Sequence, residues 1–209
     1  MRPPSLSKRA HITALNDGVC AIDTEYLLPL QDASHLIVQD GRAAFVDTGA
    51  NDAVPLLLDA LRRQDLDAGD VDYVFLTHIH LDHAGGAGLL MQQLPNARCV
   101  VHPRGAPHMV DPERLIAGTI AVYGEDRMRA MYGDIVPIDA SRVVVADDEA
   151  RFEIGGERRR VVGLAPRDEV ENTGDGQREF DNPEAAADCG LHCQGGFFLV
   201  VGAQDSAGF

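Results

Sequence analysis

The sequence predicts a mixed α/β domain of the α+β kind, in which short buried strands are layered with amphipathic helices. Several strand-like stretches lie within residues 11–47. Between residues 52 and 102, predicted helices and strands alternate. The 209 residues suit one domain with a sizeable core, and no repeat or linker marks a second one. We therefore treat residues 1–209 as a single unit.

The first predicted elements are strands, because apolar and β-branched residues dominate residues 11–47. Asp40-Gly41 lies between two of them and predicts a hairpin turn. His35 lies inside a predicted strand, so we expect a partly buried structural residue rather than a ligand. Asp47 ends the last strand, where a carboxylate can either orient a ligand imidazole or form a turn.

The next predicted element is an amphipathic helix at residues 52–64. Apolar residues recur from Val54 at i, i+3, i+4 and i+7, and Asp52 is the expected N-cap. The helices predicted at residues 111–122 and 125–132 are expected to form a cap over a site that follows the strand at residues 72–77. The further expected elements are helices at 88–94, 111–122 and 125–132, and strands at 97–102, 136–139, 142–146, 151–154 and 158–164.

The most informative stretch is T-H-I-H-L-D-H at residues 77–83, which follows an apolar strand directly and precedes two glycines. On an extended backbone, His78 and His80 point to the same side. Asp82 and His83 are adjacent, so they can flank a second point only if the chain turns there. Imidazole and carboxylate ligands suit zinc, iron or manganese. The spacing therefore predicts two neighbouring metal ions rather than a His-rich surface loop.

This motif resembles the T-H-x-H-x-D-H motif of the metallo-β-lactamase-fold hydrolases. F-V-D-T-G at residues 45–49 resembles the strand-ending V-D-T-G of that family, and residues 102–112 resemble a segment of one bacterial branch. The resemblance covers residues 11–164 and implies an αββα sandwich. It also implies a hydrolase that uses a metal-bound hydroxide on an ester, lactone, thioester or related bond of a small molecule.

The resemblance assigns roles to the motif residues. His78 and His80 hold the first metal, and Asp82 and His83 hold the second. Asp82 lies beside the reacting water and serves as the catalytic proton carrier. Asp47 lies under the site and orients a ligand imidazole. Two zinc ions are expected, with iron or manganese as alternatives.

The second half of the chain departs from the family pattern. The family shows T-P-G-H after a strand, whereas V-V-G-L-A-P at residues 161–166 leads into an acidic stretch without histidine. Asp205 is the candidate for the carboxylate that bridges the metals, and His192 is expected in an exposed loop. We therefore expect a shortened second half, with residues 167–209 divergent or incomplete. A truncated or frame-disrupted chain and a divergent family member both fit this pattern.

Two further functional hypotheses remain open. One is an iron-dependent oxygenase of persulfides or thiols on the same scaffold, since imidazole and carboxylate ligands also suit iron. The other is an inactive metal-binding remnant, which would expose sheet edges and pair with another chain, so a homodimer is possible. His102 and His108 are either pocket-lining residues or ordinary loop residues.

Composition restricts the partners. The net charge of −15 and the pI of about 4.7 disfavour a nucleic-acid partner. The N-terminus has no apolar core of a signal peptide, and no apolar run is long enough to span a bilayer, so we expect no membrane partner. Four cysteines and the missing signal predict a reducing cytoplasmic location without structural disulfides, with Cys20 and Cys99 in the core.

Overall fold

The strands of the first half of the chain build one large sheet. The computed structural model describes residues 9–146, 150–160 and 202–203. Seven strands pair in chain order, and the first four are antiparallel whereas the pairs from β4 to β7 are parallel. They are β1 (Ile12–Ala14), β2 (Val19–Asp23), β3 (Ala33–Gln39), β4 (Arg42–Val46), β5 (Val71–Phe75), β6 (Arg98–Val101) and β7 (Val143–Val145).

Helices cover one face of this sheet. Leu56, Leu57 and Leu61 of the first helix are fully buried against sheet residues such as Leu36 and Phe45. The amphipathic pattern of the sequence thus places its apolar side on the sheet. The helices are α1 (Val54–Arg62), α2 (Leu81–Ala84), α3 (Ala87–Gln93), α4 (Ala106–Val110), α5 (Glu113–Tyr123) and α6 (Glu125–Tyr132).

A small antiparallel sheet lies on the other face of the large sheet. It consists of β8 (Arg151–Ile154), β9 (Glu157–Arg160) and β10 (Gly202–Ala203), in the order β10-β9-β8. Phe152 packs edge-on against Phe75 with ring centroids 5.2 Å apart. The described residues thus form a helix layer, a large sheet and part of a second sheet, which confirms the predicted α/β layering.

The hairpin turn predicted at Asp40-Gly41 is confirmed. Both residues have positive φ, 45° and 76°, and the flanking Gln39 and Arg42 pair across the hairpin.

The expected burial of Cys20 and Cys99 is also confirmed, and both thiols are free. Within the described ranges, no helix combines the length and apolar character needed to cross a membrane.

Two local predictions were wrong. Asp52 is not the N-cap of α1, because a 3-10 turn over Asn51–Ala53 precedes the helix and Ala53 takes the cap position. Residues 136–139 do not form a strand. Their backbone is instead tied to α4, since the Ile138 amide donates to the Met109 carbonyl at 2.8 Å.

The buried His35 makes folding stability sensitive to acid. Burial lowers the pKa of His35 to about 4, although the negative charge of Asp47 acts the other way. The unfolded chain, with an ordinary histidine pKa of about 6.5, therefore binds a proton that the folded chain excludes as the pH falls below that value. We expect the free energy of unfolding to fall by about 2 kcal/mol between pH 7 and pH 5 from this residue alone.

The measurement is urea unfolding at both pH values for the native chain and the His35→Gln variant, which is neutral throughout. The difference between the two pH dependences isolates His35, since all other titrating groups are shared. Equal pH dependences would contradict the prediction.

Candidate metal centre

The T-H-I-H-L-D-H motif lies at the carboxyl end of β5. The Leu76 amide donates to the Val100 carbonyl at 2.9 Å, so the chain leaves the sheet only after this residue. His80 is still extended, with φ −62° and ψ 143°, and it is the N-cap of the short helix α2. The spacing required a turn at Asp82 and His83, and α2 provides that turn.

The motif side chains gather at one place. The ring centroids of His78 and His80 are 4.8 Å apart, and those of His78 and His83 are 4.2 Å apart. The Asp82 carboxylate oxygen Oδ2 lies 3.9 Å from Nε2 of His83. The four predicted ligands are thus neighbours in space, as their spacing along the chain indicated.

Asp47 is buried beside the motif and contacts Thr77 and His83. It is buried, with 1% of its surface exposed, and follows β4 in the left-handed region at φ 57°. Its oxygens accept hydrogen bonds from the Thr77 amide at 2.9 Å and the Thr77 hydroxyl at 2.7 Å. This backbone conformation costs a non-glycine residue about 1–2 kcal/mol, which these bonds offset.

Asp47 also fixes the orientation of His83. Nδ1 of His83 lies 3.2 Å from the Asp47 oxygen Oδ2, so this nitrogen donates and Nε2 is left for another partner. Donor atoms of Asp47, His78 and His83 lie within 4.8 Å of one another. Because both Asp47 oxygens already accept from Thr77, the geometry favours Asp47 as the residue that orients an imidazole.

The backbone around α2 is tied to the loop after β4. The Thr48 amide and hydroxyl both donate to the His83 carbonyl, at 2.7 Å and 3.0 Å. The Gly86 amide donates to the Gly49 carbonyl at 2.8 Å. A Cβ atom on Gly86 would lie 2.9 Å from the carbonyl oxygen of Ala50, so only glycine allows this approach. The two glycine-containing segments therefore fix His83 over Asp47.

The surroundings shift the pKa values of His78 and His83 in opposite directions. Burial and the positive charge of His83 lower the pKa of His78 to about 4, so this imidazole is neutral at pH 7 and suited to bind a metal ion. For His83, burial disfavours the charge, but the hydrogen bond and charge of Asp47, with Asp32 and Asp82, raise its pKa to about 9. A metal ion at Nε2 would therefore displace a proton.

Asp32 is a residue of the site that the sequence did not reveal. It precedes β3, and its oxygen Oδ1 lies 3.8 Å from Nδ1 of His83. The Thr24 hydroxyl donates to Asp32 at 3.1 Å and closes the loop between β2 and β3. Only this loop brings Asp32 to the motif, and no local pattern in the sequence marks it.

Two cavities flank the motif. The first has a volume of about 410 Å³ and is lined by Asp32, Asp82 and His83 together with Tyr26. Tyr26 donates to the hydroxyl of Tyr132 at 3.0 Å, which joins the β2–β3 loop to α6. Helix α6 thus lies close to the site, as the predicted cap requires.

The second cavity, of about 320 Å³, is lined by residues 76–80 of the motif rather than by Asp82 and His83. His102 and His108 line it together with His78 and His80. From the sequence alone, these two histidines were either pocket-lining residues or ordinary loop residues. The structure places both at a pocket. Asp205 and His192 lie outside the described residues.

Histidines and aspartates thus gather at the carboxyl ends of β4 and β5 in a layered α/β fold. The family model of the metallo-beta-lactamase superfamily matches residues 27–204. The chain belongs to this superfamily. No curated protein matched the chain.

Solved structures that share the fold include metallo-beta-lactamases. The enzyme from Cronobacter sakazakii with a HARLDQ motif is 20% identical, with a TM-score of 0.54, and the match covers 75% of this chain and 53% of that one. The SMB-1 enzyme bound to 2-mercaptoethanesulfonate is 14% identical, with a TM-score of 0.56 and coverages of 75% and 54%. A FEZ-1 variant from Legionella gormanii is 17% identical, with a TM-score of 0.54 and coverages of 76% and 54%. The chain therefore spans about half the length of these structures.

Proposed function

We propose that the chain is a metal-dependent hydrolase that cleaves an ester, lactone, thioester or related bond of a small molecule. The observation that carries this proposal is the convergence of His78, His80 and His83 at the end of β5. The family and the fold support the reaction class. The net charge of −15 favours a small-molecule substrate over a nucleic acid.

The residues present fit a transition metal. Imidazole nitrogens and carboxylate oxygens are the ligands that zinc, iron and manganese share, and we propose zinc. His78 and His80 would hold one ion, and Asp82 and His83 a second. The ions, when bound, supply positive charge at the reacting centre and acidify a water molecule.

The protein's own residues orient a ligand imidazole and carry protons. Asp47 holds the His83 ring through Nδ1, and Thr77 holds Asp47. Asp82 exposes 35% of its side chain and lines the first cavity, so its carboxylate can take a proton from the attacking water and return it to the leaving group. The first cavity has the volume of a small-molecule site.

The test is metal content by elemental analysis of the purified chain, with hydrolysis assays on a lactone, a thioester and a phosphodiester. We expect about two transition-metal ions per chain, as in two-metal hydrolytic sites. The His80→Ala variant should lose most of the metal, because one imidazole ligand is removed from the first ion.

The control is Gln92→Ala, which removes an exposed polar side chain of α3 outside the motif and outside both cavities. It should retain the metal. A natively folded chain without metal would contradict the proposal, and a single iron with oxygen uptake would point to oxygenase chemistry instead.

A further inference from the structure

Asp32 lies beside a predicted metal ligand, and no step of the proposed reaction uses it. Its oxygen Oδ1 lies 3.8 Å from Nδ1 of His83, which is within ion-pair distance. Both side chains are buried, with 13% of Asp32 and 8% of His83 exposed. A buried carboxylate costs folding free energy unless it has a partner, so the contact with His83 offsets part of the cost of burying Asp32.

The β2–β3 loop holds Asp32 in place. At the base of the loop, the Thr24 amide donates to the Asp32 carbonyl at 3.1 Å, and the Thr24 hydroxyl lies 3.1 Å from both that carbonyl oxygen and Oδ2 of Asp32. The Asp23 carboxylate accepts hydrogen bonds from the amides of Glu25 at 2.9 Å and Leu30 at 3.0 Å. The loop's own hydrogen bonds therefore fix the position from which Asp32 contacts the site.

Two carboxylates lie next to the same nitrogen of His83. Oδ2 of Asp47 is 3.2 Å from Nδ1, and Oδ1 of Asp32 is 3.8 Å from it. The Asp47 oxygen also accepts from the Thr77 hydroxyl at 2.7 Å, and its distance to Nδ1 is at the long end of the range of about 2.7–3.2 Å that is usual for N–H···O bonds. Asp32 adds a second negative oxygen there. Both carboxylates favour the ring orientation in which Nε2 is left for a metal ion.

The charge of Asp32 also acts on a cation at this position. The carboxylates of Asp32, Asp47 and Asp82 all lie at ion-pair distance from the ring nitrogens of His83. Negative charges this close attract a divalent cation, and salt screens buried groups less than exposed ones. Loss of the Asp32 charge would therefore weaken the binding of a cation to His83.

We propose that Asp32 is a positioning residue of the second metal position, the one formed by Asp82 and His83. Together with Asp47 it holds the His83 ring from the Nδ1 side, and its charge raises the affinity of the position for a divalent cation such as zinc. Partners of the second ring nitrogen of a ligand histidine typically change metal affinity by about 10–100-fold. This inference rests on the proposed hydrolase function and deepens it, because the β2–β3 loop also lines the first cavity through Tyr26.

The test measures zinc affinity by competition with a chelator, for the native chain and for Asp32→Asn. Asparagine keeps the shape and an oxygen that accepts from the Thr24 hydroxyl, whereas the charge is lost. We expect one of the two zinc ions to bind about 10-fold or more weakly and the other to bind as in the native chain. In the His83→Gln background, Asp32→Asn should have no further effect on zinc affinity. A merely structural role of Asp32 would weaken zinc binding in both backgrounds.

The matched control is Asp40→Asn. Asp32 precedes β3 and Asp40 follows it, so the same charge is removed at the opposite end of the same strand. Asp40 is exposed and has a φ of 45°, which asparagine tolerates. This variant should bind zinc as the native chain does. If the native chain binds zinc and Asp32→Asn binds it equally well, or if Asp40→Asn weakens it as much, the role of Asp32 is overturned and the hydrolase proposal stands.

A double-mutant cycle on the metal-free chain separates the two proposals. Urea unfolding is measured for the native chain, Asp32→Asn, His83→Gln and the double variant. We expect the unfolding equilibrium constant of the double variant to differ by about 5-fold or more from the product of the single effects, because the two side chains interact. If the native chain binds no metal, the hydrolase proposal fails and the cycle alone decides. Coupling then supports the positioning of His83 by Asp32, and additive effects overturn it.

Discussion

Replacing Asp82 by asparagine is expected to slow hydrolysis by about 10²- to 10⁴-fold, the usual range for loss of a positioned proton carrier. Asparagine has the same shape but neither the charge nor the basicity of the carboxylate. The Asp82 oxygen Oδ2 lies 3.9 Å from Nε2 of His83, so the change affects metal binding and proton transfer at one place. Steady-state kinetics and metal content, measured together across a series of added zinc concentrations, separate these two effects.

The matched control for Asp82 is Asp65→Asn. Asp65 is exposed in the loop after α1 and has a positive φ of 57°, which asparagine tolerates equally well. This variant should keep native activity. A rate within a few-fold of native for Asp82→Asn at full metal occupancy would exclude Asp82 as the proton carrier.

Replacing Arg142 by methionine is expected to lower the free energy of unfolding by about 3 kcal/mol, because a charged donor is lost from several buried carbonyls. The Arg142 guanidinium donates to the carbonyls of Met91 at 2.7 Å, Ala97 at 2.7 Å and 3.2 Å, and Leu94. These carbonyls lie at the end of α3 and in the loop before β6, where helix carbonyls have no partner within the helix. Urea unfolding at neutral pH measures the change.

The control for Arg142 is the same substitution at Arg129. Arg129 bonds to Glu125 at 3.2 Å and to Asp134 at 2.5 Å, but its side chain is 58% exposed and these partners are 61% and 83% exposed. Exposed ion pairs contribute about 1 kcal/mol or less. Equal losses in the two variants would show that Arg142 does not tie α3 to β7.

The sequence predicted the elements that place the motif. The apolar run that becomes β5 and the apolar spacing of α1 both depend on local periodicity, which a single sequence displays directly. The turn at Asp82 and His83 was predictable, since adjacent residues reach neighbouring points only on a bent chain. Whether these side chains bind metal remains a prediction for the metal analysis above.

Other parts of the site depend on contacts between distant segments. Asp32 reaches His83 only because the β2–β3 loop folds back, and its neighbours in the sequence carry no sign of that contact. His102 and His108 line the second cavity because Gly105 packs against Ile79. Local patterns do not encode such contacts, which is why the sequence left these two histidines undecided.

The order of the large sheet has a consequence for how the protein folds. Each strand pairs with the next strand along the chain, so the sheet can grow from β1 towards β7 during synthesis. The longest connection within the large sheet, residues 102–142, precedes β7, and we expect it to close last because loop entropy increases with length. Arg142 stands directly before β7 and bonds to the end of α3. We therefore expect its bonds to form late in folding, and to slow unfolding rather than speed folding.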